Sequence, residues 1–204
     1  SNLSRFDPRH NRLTILHLVA PAPVGGLESV VRLLARGQRS AGHRVLVGAI
    51  VEPDADGGPF VAALAADGTP SAVIRVPARG YLLERRAIKA LCVAEQPSIV
   101  HTHGYRPDVI DAAAARSIGV TTVTTVHGFT GGGFKNKLNE WLQVKSLHRF
   151  AAVIAVSDHL ANRLRKLDVP ARLLHVVPNA FEANRPLLDR ETARSRLVIA
   201  PHAY

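Results

Sequence analysis

The sequence predicts an α/β domain built on a doubly wound, mostly parallel sheet with helices on both faces. Three observations predict it. Strand-like and helix-like stretches alternate almost throughout the 204 residues, the pattern of a parallel sheet with crossover helices. Three of the strand-like stretches run into polar, glycine-bearing loops, each followed by a helix-like segment: Val24-Gly25-Gly26-Leu27-Glu28, His101-Thr102-His103-Gly104-Tyr105 and His127-Gly128-Phe129-Thr130-Gly131-Gly132-Gly133. Right-handed crossovers bring those loops to one rim, at the carboxyl ends of the strands, where open α/β sheets bind their ligands.

The elements follow in order. Leu13–Val19 reads as a buried strand, and Glu28–Ala41 as a helix carrying Val30, Val31, Leu33 and Leu34 and closed by Gly42, the residue that favours the turn after a helix end. Arg44–Val51 is a strand, residues 52–59 a turn-rich loop, Phe60–Ala66 a short helix closed by Gly68, and Ala72–Val76 a strand. Leu82–Glu95 is an amphipathic helix stopped before Pro97. A strand at Ile99–His101, an alanine-rich helix at Asp108–Ser117 and a β-branched strand at Thr121–Val126 come next. A long helix at Lys135–Phe150 is expected to turn Leu138, Trp141, Leu142 and Leu147 toward the core. Ala152–Val156 is a strand, Ser157 or Asp158 caps a helix at Leu160–Leu167, Leu173–Val177 is a last strand, and a short helix falls near Arg190–Leu197. The expected organisation is a disordered or tag-derived start at 1–12 (Ser1-Asn2 resembles a cleavage scar), one domain at 13–180, and a linker at 181–204 leading toward a further domain.

Hydrophobic residues make up 47% and charged residues 21%, ordinary values for a globular chain. The single cysteine, Cys92, excludes an internal disulfide framework and a cysteine-based zinc site, and its apolar helical setting predicts a buried, inert thiol. No apolar run approaches the ~18 residues of a membrane span, and the polar N-terminus shows no signal-peptide core. The net charge of +10 points to an anionic partner. Because the basic residues are dispersed, a phosphorylated small molecule or an anionic membrane surface fits better than specific nucleic-acid binding.

Gly25-Gly26 opens a helix, where a backbone without side chains lets a phosphate approach free N–H groups and the positive end of the helix dipole. A simple tight turn explains the pair equally well, and the dinucleotide spacing G-x-G-x-x-G is absent. Glu28 reads as a carboxylate favourable in a first helical turn. His101 and His103 are expected on opposite faces of their strand end, which argues against a shared metal, and no nearby carboxylate completes a metal set. One of them is a structural histidine on this reading, and the other lines the rim with Gly104 and Tyr105. His127 closes a strand directly before Gly128, a position suited to a site. Thr130 and the glycines after it suit an anion or a sugar, and Lys135 and Lys137 stand next to draw a phosphate. Lys145, His148 and Arg149 extend a basic helix face that is either solvated or membrane-proximal. No Ser-His-Asp, Walker or deaminase pattern is present.

Five segments together resemble the family-four retaining glycosyltransferases of the GT-B fold. They are Ile15-Leu16-His17 through Leu27-Glu28 with Ala41-Gly42-His43-Arg44-Val45; Pro97-Ser98-Ile99-Val100-His101-Thr102-His103-Gly104; Thr125-Val126-His127-Gly128-Phe129; Ala152-Val153-Ile154-Ala155-Val156-Ser157; and Val176-Val177-Pro178-Asn179. Each is modest alone, but their order and spacing hold across residues 13–180. The linker departs from the family's usual Asn-Gly-x-Asp, reading Asn179-Ala180-Phe181-Glu182.

The resemblance implies the Rossmann-like, acceptor-side N-terminal half of a two-domain enzyme that moves a sugar from a nucleoside diphosphate sugar with retention of configuration. It implies no cofactor and no metal, and, since the donor half lies elsewhere, little turnover from this half alone. By position it makes His127 catalytic, Gly25 and Gly26 donor-binding, and His103, Tyr105, Thr130 and Lys135 acceptor-binding. Ser157 is better explained as a helix cap. The acceptor stays open; the net charge favours a lipid-linked or phosphorylated one, and the expected setting is the cytoplasm, free or at the inner face of the membrane. Two rival readings remain: a non-catalytic Rossmann-like module binding a phosphorylated or nucleotide ligand, and an epimerase of the same architecture, which would carry catalytic carboxylates in its cleft.

Overall fold

Strand-length runs of aliphatic and β-branched residues become the centre of the molecule, because a parallel sheet covered on both faces has no wet side to accommodate alternating polar residues. A computed structural model describes residues 12–22, 26–128, 134–179 and 189–196. Among the described residues, seven strands form one sheet in the order β3-β2-β1-β4-β5-β6-β7. They are β1 (Thr14–Val19), β2 (Arg44–Val51), β3 (Ser71–Arg75), β4 (Ile99–His103), β5 (Thr121–Val126), β6 (Ala152–Ala155) and β7 (Leu174–Val176). Every adjacent pair is parallel.

The helices are α1 (Leu27–Ser40), α2 (Gly58–Ala66), α3 (Tyr81–Glu95), α4 (Ala112–Arg116), α5 (Phe134–Leu147), α6 (Asp158–Lys166) and α7 (Arg190–Arg196). One buried cluster joins Ile15 and Val19 of β1 and Val45 and Val47 of β2 to Val31 and Ala35 of α1 and Leu64 of α2. On the opposite face, Leu16, Leu18 and Val100 pack with Ile88 and Cys92 of α3 and with Ala114 and Ala115 of α4. That second layer continues under α5 and α6 through Val126, Val153, Val144, Leu147 and Leu164. Cys92 is buried, as its setting predicts, and burial pushes its thiol up to about 11.

The chain winds from β1 outward to β3, then returns through α3 to lay β4 against the other side of β1. The order of winding therefore reverses between β1 and β4, the switch point at which such sheets open a crevice.

Boundaries agree with the sequence to within a few residues, and Ser157 caps α6 by accepting from the Leu160 N–H at 3.2 Å. Two expectations fail. The face of α5 that meets the core is Gln143, Val144 and Leu147, while Leu138 and Trp141 are exposed. At 100° per residue Leu138 and Leu147 lie on opposite sides of the helix, so a list of nearby apolar residues did not define one stripe. The alanine-rich helix begins as a π turn at Pro107–Asp111, because Asp108 is drawn inward by the partners described below. The N-terminal segment 1–11 and residues 180–188 lie outside the described residues.

Candidate functional site

Parallel pairing of β1 with β4 sets His17 beside His101, and Val19 beside His103. Residues two apart on a strand share a face, so His101 and His103 stack on one side with ring centroids 4.3 Å apart. The expectation of opposite faces was wrong for this reason: strand side chains alternate with a period of two. His17 joins the same side, its ring 5.0 Å from His101 and 5.2 Å from His103. All three are buried.

Hydrogen bonds satisfy these rings. His17 Nε2 is 2.7 Å from Gln38 Oε1 of α1, and His17 Nδ1 is 2.9 Å from His103 Nε2. His103 Nδ1 is 3.3 Å from His127 Nε2, and His101 Nε2 is 2.8 Å from Thr125 Oγ1. Burial lowers the pKa of His17 to about 4 against a small upward pull from Gln38, and it holds His101 and His103 well below the ordinary histidine value. All three are neutral near pH 7. The three rings have nitrogens within 4.8 Å of one another, as a metal would need. Hydrogen bonds occupy both ring nitrogens of His17 and His103 and Nε2 of His101.

His127 stands where this chain of rings reaches the rim. It directly follows β5 and is half-buried, and burial lowers its pKa while the Glu28 carboxylate opposes that shift. Gly128 behind it has φ +141° with open space where a Cβ would stand. Gly104, at the end of β4, has φ +90°, and a Cβ there would stand 3.8 Å from Leu27 Cδ1. Both conformations are ones that L side chains resist, and both let the strand ends turn sharply and leave their histidines at the crevice.

Gly26 is the N-cap of α1, exposed and with nothing within 4 Å of a Cβ position, so its helix start is open to a ligand. The first N–H groups of a helix have no partner within the helix. Glu28 curls back to accept from the Ala22 N–H at 2.7 Å, tying the loop after β1 to α1. Its other oxygen, Oε2, is buried with no partner among the described residues. Glu28 also lines a cavity of about 770 Å³ at the carboxyl ends of β1 and β2, with Arg32, Glu52, Asp56 and Arg106 among its other polar walls.

Three buried carboxylates, Asp108, Glu84 and Asp111, gather on the opposite face around the loop after β4. Asp108 accepts from Thr102 Oγ1 at 2.6 Å, Thr124 Oγ1 at 2.7 Å and Gln143 Nε2 at 2.7 Å. Burial nevertheless pushes its carboxyl up to about 6. Arg106 forks onto the fully buried Glu84, with contacts of 2.6, 2.9 and 3.0 Å. Asp111 finds no donor. Burial and the neighbouring Glu84 hold it well above the usual carboxylate range.

The structure thus brings His103 and His127 into direct contact. Tyr105 is half-buried at the end of β4, two residues from His103. Gly25 and Thr130 lie outside the described residues, as does the side chain of Lys135, whose backbone belongs to the first turn of α5. Sequence reading did not single out Gln38, His17 and Arg106 as partners in the site, and it weighed His101 only as a structural or rim-lining histidine. Only His17 and His101 had a local signal, being polar residues inside otherwise apolar strands.

The same fold recurs in solved sugar-nucleotide enzymes. HepE from Anabaena, solved with UDP-glucose, superposes with a TM-score of 0.71 at 23% identity, covering 92% of this chain and 50% of that one. A glycosyltransferase from Rickettsia africae gives 0.70 at 19% identity, covering 95% of this chain and 51% of that one. A UDP-GlcNAc 2-epimerase from Methanocaldococcus jannaschii gives 0.63 at 14% identity, covering 82% and 46%. Likeness at these identities establishes the fold, one half of a GT-B architecture, and the chain spans about half the length of these structures. No curated protein is significantly similar in sequence. Residues 24–185 match the sequence profile of Glycosyltransferase Family 4, and the chain belongs to that family.

Proposed function

We propose that this domain is the acceptor-side half of an enzyme that transfers a sugar from a nucleoside diphosphate sugar to an acceptor with retention at the anomeric carbon. The observation that carries the reading is the place of His127: at the carboxyl end of β5, beside the switch point, backed by His103 and close enough to Glu28 to feel its charge. Family membership supplies the reaction class. UDP and UDP-glucose are bound by the Anabaena neighbour, which supports a UDP-sugar as the first donor to try.

In this reading the α1 N-terminus at Gly25 and Gly26 faces the donor diphosphate, because helix N-terminal N–H groups and dipole stabilise a leaving anion without reorganising. His127, neutral by virtue of its burial, meets the transferred sugar. The cavity walled by Glu28, Arg32 and Arg106 receives the acceptor, with Tyr105, Thr130 and Lys135 as candidate contacts and the buried His103 acting through His127. Its mixed charges suit a hydroxylated, phosphorylated acceptor. Residues 1–204 alone turn over little or nothing, since donor contacts come from a second domain.

The test is product analysis with the full-length protein, UDP- and GDP-sugars and a panel of polyol phosphate and lipid-linked acceptors. A glycoside product with the donor's anomeric configuration, read by NMR coupling constants, is the expected result. Inverted product overturns retention. Epimerised free sugar nucleotide, or the absence of both transfer and donor binding, overturns the transferase reading.

A further inference from the structure

The buried histidines form a directional chain whose outer end is the site. A neutral imidazole carries one N–H and one lone pair, so a run of hydrogen-bonded neutral rings can point only one way at a time. Gln38 presents Oε1 to His17 Nε2 at 2.7 Å, so His17 donates from Nε2 and has its lone pair on Nδ1. That lone pair, 2.9 Å from His103 Nε2, requires the proton of His103 on Nε2 and its lone pair on Nδ1. His103 Nδ1, 3.3 Å from His127 Nε2, requires the same of His127.

We infer that Gln38, His17 and His103 act as positioning residues that fix His127 as its Nε2–H tautomer, leaving Nδ1 as a hydrogen-bond acceptor for a sugar hydroxyl. The opposite direction would begin with the Gln38 amide donating and would end with His127 Nδ1–H, a donor suited to a phosphate oxygen. Gln38 therefore decides from the far side of β1 whether the rim histidine takes hydroxyls or anions. Glu28 Oε2, without a partner among the described residues, is a second acceptor beside that histidine, so the site offers acceptors to a polyhydroxylated ligand. Both rings behind His127 lie in the core, so water cannot supply the missing partner if the chain is cut.

The role in sugar recognition rests on the transferase reading above; the tautomer does not. The experiment is therefore a pair of readouts on the full-length protein with 15N-labelled histidines. Two-bond and three-bond 1H–15N correlations should show His17, His103 and His127 all protonated on Nε2, with signals assigned through single His→Gln variants. Gln38→Glu, which can only accept at neutral pH, should preserve the His127 pattern. Gln38→Leu should change it, although residue 38 touches His17 and not His127. In turnover, Gln38→Leu should lose on the order of tenfold in kcat with donor KM unchanged, and Gln38→Glu should restore most of it. Wild-type His127 protonated on Nδ1, or a His127 pattern untouched in a folded Gln38→Leu, overturns the inference. If the spectra agree and neither sugar transfer nor donor binding is seen, the relay stands and the transferase reading falls.

Discussion

His17 Nδ1 and His103 Nε2 lie 2.9 Å apart across the β1–β4 seam, and that contact connects the interior of the domain to its rim. It exists because the parallel register sets Val19 beside His103 and leaves His17 one pleat behind on the same face. The sheet therefore carries polar rings straight through a layer otherwise filled by Val and Ile.

Neutral buried rings make stability depend on pH. The folded value of His17 is about 4, against 6.5 for the ordinary group. Its contribution is complete above about pH 6.5 and is lost as pH falls toward 4, because the unfolded chain binds a proton that the folded ring refuses. The loss reaches up to about 1.4 kcal/mol per pH unit for one such group. Urea unfolding between pH 7 and 4.5 should show this decline. His17→Gln should be less stable at pH 7 and its curve flatter by about one proton; a variant curve parallel to the wild type would rule the assignment out.

Asp108 has the opposite sign. Its folded value of about 6 stands above the ordinary 3.8, so its contribution is fully present below pH 3.8 and is lost as pH rises through 6. Asp108→Asn removes that dependence. Relative to wild type, the variant should gain about 3 kcal/mol between pH 4 and pH 7.5, read as the difference of two denaturation series. No change in the difference would show that the three hydrogen bonds hold Asp108 ionised throughout.

Glu84 and Arg106 form a buried ion pair, with the Glu84 side chain wholly out of solvent. Removing the guanidinium leaves the buried Glu84 carboxylate without its cation, next to the buried carboxyl of Asp111. Arg106→Met should cost about 3 kcal/mol or more, and adding Glu84→Gln should recover a substantial part. A double variant no more stable than Arg106→Met would mean that packing, and not charge, sets the cost.

Gly104 adopts φ +90° beside Leu27. Gly104→Ala should destabilise by about 1–2 kcal/mol and, by shifting the end of β4, weaken the His103–His127 contact. Thermal unfolding checks the first effect, and the His127 ring signals check the second.

Much of this architecture was legible in the sequence. Alternating strand and helix patterns gave the parallel sheet, and Gly42 and Ser157 marked helix ends because their chemistry is local. The rim position of His127 was legible too, since a histidine directly before a glycine at a strand end has few other places to be. What escaped was non-local. The stacking of His101 on His103 needed the strand period applied without error, but the contacts of His17 with Gln38 and His103 depend on helix packing and strand register, 21 and 86 residues apart in sequence. The inward pull on Asp108 depends on Thr124 and Gln143, which no local pattern ties to it. On α5, proximity of apolar residues in sequence misled where the helical angle would have separated Leu138 from Leu147.

The central claim is that His127 belongs to a sugar-transfer site. The most direct measurement is turnover of the full-length protein with its best donor, beside His127→Ala, with donor binding measured on both. The account gives a loss in kcat on the order of a hundredfold with donor affinity largely retained. Equal turnover in a folded His127→Ala would contradict it.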